Sequence, residues 1–174
     1  MLPASAPAAL VQLQMSNLLA LDQASATSGW AVFIDGELLE WGKIKAPQVE
    51  LGERLVYIRQ EIIKLIEKYS INEIGFEDIQ LQNSVGNNVK TFKVLAAVFG
   101  VVSELCEELH IPYTIVSSNT WKSSLKIGGK TRPQQKKEAQ LFVQNTYGIK
   151  ATQDESDAIC IGTHLIKDLK SAWA

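Results

Sequence analysis

The chain has 174 residues, of which 46% are apolar and 21% charged, within the range of a single globular domain that builds its core without staples. Cys106 and Cys160, its only cysteines, both lie in apolar segments, which excludes a disulfide framework and points to buried thiols in a cytoplasmic protein. A net charge of −2 carries no global signal for nucleic acid; no apolar run reaches the ~18 to 20 residues of a membrane span, and the N-terminus lacks the basic flank of a secretory signal.

Residues 1–14 are Ala-rich and contain proline, and Met15 directly precedes the first strand-like run, so they read as a mobile extension or cloning remnant ahead of one domain over 15–174. Residues 17–23 form a short apolar strand, ended by the small-residue turn 24–29. Strands at 30–34 and 37–45 are joined by Asp35-Gly36, a pair that tolerates the positive φ of a tight hairpin. Leu55, Ile58, Ile62, Ile63, Leu65, Ile66 and Tyr69 recur at helical spacing over 52–69. Another strand is expected at 73–79, followed by the polar stretch 80–88. The helix predicted over 89–110 is apolar all round, from Val94 to Val102, and so must be covered on more than one side, by the core or by a second subunit as well. A fifth strand at 113–117 leads to a helix start at Trp121-Lys122, a break at Gly128-Gly129, a basic helix over 133–147 and a last helix over 154–170. The order βββαβαβαα, opening with a meander, implies an α/β fold whose mixed five-stranded sheet is flanked by helices.

Four acids stand where a solvated charge is out of place. Asp22 ends the run Leu18-Leu19-Ala20-Leu21, Glu77 follows Ile74-Gly75-Phe76, and Asp154 and Asp157 open the last helix. An unpaired buried carboxylate costs several kcal/mol, and a divalent cation is the economical remedy. Asp154 and Asp157 fall three apart, adjacent on one helix face, where like charges repel. The structural explanation, Asp154 capping the helix and complementing its dipole, accounts for one of them; Asp157 runs instead into the core-like Ala158-Ile159-Cys160-Ile161. From Leu109 to Lys137 there is no acid, whereas Lys122, Lys126, Lys130, Arg132, Lys136 and Lys137 all lie there; a basic surface and a solvated lysine-rich loop are the two readings.

These segments resemble a known family. LLALDQASATSGWAVF (18–33), IGFEDIQ (74–80) and DESDAICIG (154–162) are similar to the three motifs of RuvC-type Holliday-junction resolvases, and residues 118–137 look like the basic segment of resolvases of the phage and Gram-positive type. The resemblance implies an RNase H-like nuclease domain, a homodimer, and an endonuclease dependent on Mg²⁺ or Mn²⁺ that nicks two opposed strands of a four-way DNA junction, in a bacterial cytoplasm or that of a phage host. Asp22, Glu77, Asp154 and Asp157 would then be catalytic and hold two ions about 4 Å apart, with Asp22 as the bridge and Asp154 as ligand or water-orienting base. The six basic residues would contact DNA backbone. Gln80 stands where some relatives carry a wedging aromatic, which shifts junction opening to Gln82, Asn83 or other loop residues, or broadens the substrate to forks and flaps; Gln80, Gln82 and Asn83 would also contact DNA. His110 reads as structural, and His164, seven residues after Asp157, as a minor site candidate. Competing readings are a YqgF-like or RNase H nuclease of the same fold, a sugar-kinase-like or actin-like (ASKHA-type) ATPase, disfavoured by length, and a DNA-binding module without catalysis.

Overall fold

A computed structural model of the chain describes residues 16–80 and 88–172. Its sheet grows outward from β1 (Asn17–Asp22), in which Leu18 through Leu21 are almost completely buried. Side chains alternate across a strand, so Leu18 and Ala20 enter one core layer while Leu19 and Leu21 enter the other. A continuous apolar run is therefore what a strand covered on both faces requires. β1 pairs antiparallel with β2 (Thr27–Ile34), which pairs antiparallel with β3 (Glu37–Lys45). On its other edge β1 pairs parallel with β4 (Glu73–Glu77), and β4 pairs parallel with β5 (Tyr113–Val116), giving the order β3-β2-β1-β4-β5. The expected mixed sheet is present, and Asp35 (φ 51°) with Gly36 (φ 82°) makes the expected hairpin turn.

One boundary differs usefully. Thr27, Ser28 and Gly29, read from sequence as part of a turn, belong to β2, where Gly29 stands opposite Asp22. Pairing along the edge of β1 overrides the weak strand preference of small residues. What remains of the turn is closed by the Ser28 hydroxyl, which accepts from the Ala24 N–H and donates to the Ala24 carbonyl.

Against one face of the sheet pack α1 (Leu51–Tyr69), through Ile58, Ile62 and Ile66, and α2 (Asn88–Glu108), through Val98, Val102, Leu105 and Cys106. The opposite face carries α3 (Ser118–Ser124), α4 (Arg132–Tyr147) and α5 (Gln153–Ala172), which bring Trp121, Ala139, Val143 and the run Ala158 to Ile161 into the second core layer. Both cysteines are unpaired and buried, and burial pushes the Cys106 thiol up to about 11. The all-round apolar α2 is fully covered only along its core-facing stripe; Val94, Leu95, Ala97 and Val101 remain half-buried. Among the described residues no helix is long and apolar enough to cross a membrane.

Candidate active-site cleft

β1 and β4 are neighbouring parallel strands, and Asp22 and Glu77 are their last residues, so both carboxylates emerge at the same carboxyl edge of the sheet. That edge is where open α/β sheets place their crevices. The start of α5 reaches it because β2 offers no side chain at Gly29: a Cβ there would lie 1.9 Å from the Asp154 carbonyl oxygen. The contact is with backbone and cannot be relieved by a rotamer. Gly29→Ala is accordingly expected to displace the first turn of α5 and to cost about 1–3 kcal/mol, as overpacking does, measurable by urea unfolding.

Asp22, Glu77, Asp154 and Asp157 all line one cleft of about 580 Å³, together with Lys122, Arg132 and Lys136. Asp154 is not the helix cap that one reading assigned to it. Thr152 precedes the helix, its N–H donates to the Glu155 carboxylate at 2.7 Å, and Asp154 sits in the first turn with no hydrogen-bond partner among the described residues. Its charge is thus left to the cleft.

The electrostatics are those of crowded acids. Asp22 lines the cleft half-buried, and burial, then Asp157 and then Glu77, raise its carboxyl well above the ordinary value. Burial also raises Glu77 and Asp157, against the lowering influence of Trp121 on the first and Lys136 on the second. The Lys136 ammonium donates to Asp157 Oδ2 at 2.5 Å, with the two side chains 19% and 10% exposed. Burial works to lower Lys136, but the attraction of Asp157, their hydrogen bond, and the charges of Asp22 and Asp154 carry it above its ordinary value.

Do these groups suit a divalent ion? Their donor chemistry does: hard carboxylate oxygens, with Asp22 destabilised by the charges of Asp157 and Glu77 and the Asp154 carboxylate unspent among the described residues. Among the described residues no three acidic, histidine or cysteine side chains converge on a single ion-sized point as they stand. Mg²⁺ usually takes only one or two carboxylates and keeps several waters, so two ions divided among four acids do not demand such a triple cluster. With Asp157 tied to Lys136, the chain's own ammonium neutralises part of the cluster.

The predicted DNA-contacting residues separate. Lys122, Arg132, Lys136 and Gln80 line the cleft, whereas Lys126, Lys130 and Lys137 do not. A basic stretch records charge density but not direction. Here α3 and α4 turn only some of it inward, and a capping box between Thr131 and Gln134 fixes where α4 begins. Gln82 and Asn83, like residues 1–14, lie outside the described residues. His164 is not part of the lining; it is buried along α5 with Nε2 3.3 Å from Asp168, so its spacing from Asp157 did not bring it to the cleft.

Two residues that the sequence did not single out as site residues hold Glu77. The Gln23 amide clamps its backbone, donating to the Glu77 carbonyl at 2.5 Å and accepting from the Glu77 N–H at 3.2 Å. The indole N–H of Trp121 donates to Glu77 Oε2 at 2.8 Å. The only available signals were a polar residue directly after a strand-ending acid and an aromatic in an otherwise basic segment.

No family model matches the chain. It is similar to the crossover junction endodeoxyribonuclease RuvC of Ehrlichia ruminantium (strain Welgevonden), 25% identical over 165 residues that cover 89% of this chain and 99% of the relative. To the RuvC of Ehrlichia canis (strain Jake) it is 26% identical over 151 residues, covering 83% and 92% respectively. Among solved structures, Thermus thermophilus RuvC in complex with a Holliday junction substrate superposes with a TM-score of 0.69 at 17% identity, covering 89% of this chain and 96% of that one. The yeast mitochondrial Holliday junction resolvase superposes with a TM-score of 0.57 at 14% identity, over 87% and 78%.

Proposed function

We propose that this chain, similar in sequence to RuvC endonucleases and alike in fold to solved Holliday junction resolvases, is a divalent-metal-dependent endonuclease that resolves four-way DNA junctions by paired nicks. The observation that carries this reading is the gathering of four carboxylates, from β1, β4 and α5, into one cleft whose other wall supplies Lys122, Arg132 and Lys136. Acids alone would repel a phosphodiester. Beside basic residues, and able to hold cations, they suit its hydrolysis.

In this reading Asp22, Glu77 and Asp157 would hold the Mg²⁺ or Mn²⁺ ions, with Asp22 as the shared ligand, and Asp154 would serve as a further ligand or orient the attacking water. When bound, such ions would activate a water for attack and stabilise the leaving oxygen. The residues do the rest. Gln23 fixes the β4 end, so that Glu77 keeps its station beside Asp22. Lys122 and Arg132 draw the phosphate backbone into the cleft without reading sequence. Lys136, which lines the same cleft and now pairs with Asp157, would add a third cation to that surface when freed from the carboxylate. Phe92 of α2, half-buried in the lining, offers an aromatic face to an unstacked base, where Gln80 supplies none.

Two opposed nicks require two sites, and the half-buried flank of α2 at Val94, Ala97 and Val101 is the surface on which a second copy would seat. Val101→Glu should convert a dimer to a monomer in sedimentation and replace paired nicks by slow single ones. The test of the activity itself is incubation of the chain with a synthetic four-way junction, a fork, duplex DNA and an RNA–DNA hybrid, with Mg²⁺ or with EDTA. Paired, metal-dependent nicks confined to the junction are expected. Equal cutting of the hybrid would instead identify an RNase H-like activity.

A further inference from the structure

Trp121 of α3 is fully buried, at 1% exposure, in the core layer that it shares with α5. A buried indole needs an acceptor for its one N–H, and a backbone carbonyl would satisfy it. Trp121 spends that donor on Glu77 Oε2 instead, at 2.8 Å, and no other side chain or backbone donor reaches the Glu77 carboxylate among the described residues. Since Gln23 holds the Glu77 backbone on the opposite side, the residue is fixed at both ends. An ionised carboxylate has about four lone-pair sites, so one hydrogen bond sets its plane and leaves the remainder directed at the cleft. The ammonium of the next residue, Lys122, lies 5.2 Å from the indole centroid and also lines the cleft, so α3 delivers an orienting group and a cation together.

We propose that Trp121 is a positioning residue: its indole N–H orients the Glu77 carboxylate for cation binding, a role separate from its packing. This rests on the metal-binding reading of the cleft. Hydrogen bonds from outside the ligand set orient ligating carboxylates, and losing one typically costs roughly 10- to 100-fold in metal affinity or activity.

The test uses Trp121→Phe, which keeps an aromatic ring in the core and removes the donor, with Mn²⁺ titrated calorimetrically into the full chain. Mn²⁺ affinity should fall by roughly 10- to 100-fold, and kcat on the junction should fall with KM unchanged. Because Trp121 acts through Glu77, the substitution should weaken Mn²⁺ binding no further in a Glu77→Ala background. Unchanged affinity, or the same loss in both backgrounds, would overturn the proposal and leave Trp121 a packing residue. Should Trp121→Phe fail to fold, the wild-type indole resonances serve in its place. Mg²⁺ should shift the Trp121 N–H signal and leave those of Trp30 and Trp41, which do not line the cleft, in place; an unmoved Trp121 signal at saturating Mg²⁺ would count against the proposal. A wild-type chain that neither binds Mn²⁺ nor cuts the junction sinks both this inference and the nuclease reading. One that does both while Trp121→Phe binds equally well sinks this inference alone.

Discussion

Asp22→Asn is expected to abolish junction cleavage while making the metal-free protein more stable. Cations polarising a phosphoryl oxygen contribute several kcal/mol, and each 1.36 kcal/mol is tenfold in rate, so loss of the shared ligand should cost roughly a thousandfold or more. The stability change runs the other way because Asp22 is held partly out of water beside the charges of Asp157 and Glu77. Its carboxyl titrates higher in the folded chain than in the unfolded one, so the unfolded state releases its proton first as pH rises. The contribution of Asp22 to the stability of the metal-free wild type therefore declines from about the ordinary carboxylate value of 3.8 upward, until the folded group has itself ionised. In EDTA, the difference in unfolding free energy between Asp22→Asn and wild type should widen across that window in favour of the variant. A variant less stable than wild type at neutral pH would mean that Asp22 is satisfied by a partner rather than strained by its neighbours.

Lys136→Met should produce the largest metal-dependent change in stability. Its ammonium is the direct partner of Asp157, and removing one member of a buried pair strands the other; for a pair slightly open to solvent the cost is about 2–3 kcal/mol in EDTA. Saturating Mg²⁺ should recover most of that loss, since the bound cations neutralise the same carboxylates. Urea unfolding with and without metal checks this directly. An equal deficit in both conditions would assign Lys136 to packing, and no deficit in either would make the ion pair energetically idle.

Three of the four acids were legible because each interrupts a pattern, and Asp154 was read with them through its spacing from Asp157. A carboxylate at the end of an apolar run, as at Asp22 and Glu77, has no bland explanation, and Asp157 sits one residue before a stretch destined for the core. The Asp35-Gly36 hairpin was equally plain, since its turn chemistry is local. What escaped depends on contacts between distant segments. Nothing near Trp121 announces that its N–H meets a residue 44 positions earlier, nor that Gln23 will clasp the end of β4. The basic run 122–137 shows the same limit from another side. Lys122, Arg132 and Lys136 turn inward because α3 and α4 happen to be set at that angle, while Lys126, Lys130 and Lys137, indistinguishable in sequence, turn elsewhere. His164 misled for a related reason: spacing from Asp157 specifies a helix face but not how far along the helix the cleft extends.

Anomalous scattering from crystals of the chain soaked in Mn²⁺ would most directly test whether these acids share cations. Two manganese peaks in the cleft, both bonded to Asp22 and flanked by Glu77, Asp157 and Asp154, with Lys136 withdrawn from Asp157, are the expected result. A catalytically active crystal form with manganese bound elsewhere, or with Lys136 still on Asp157 and the cleft free of metal, would contradict it.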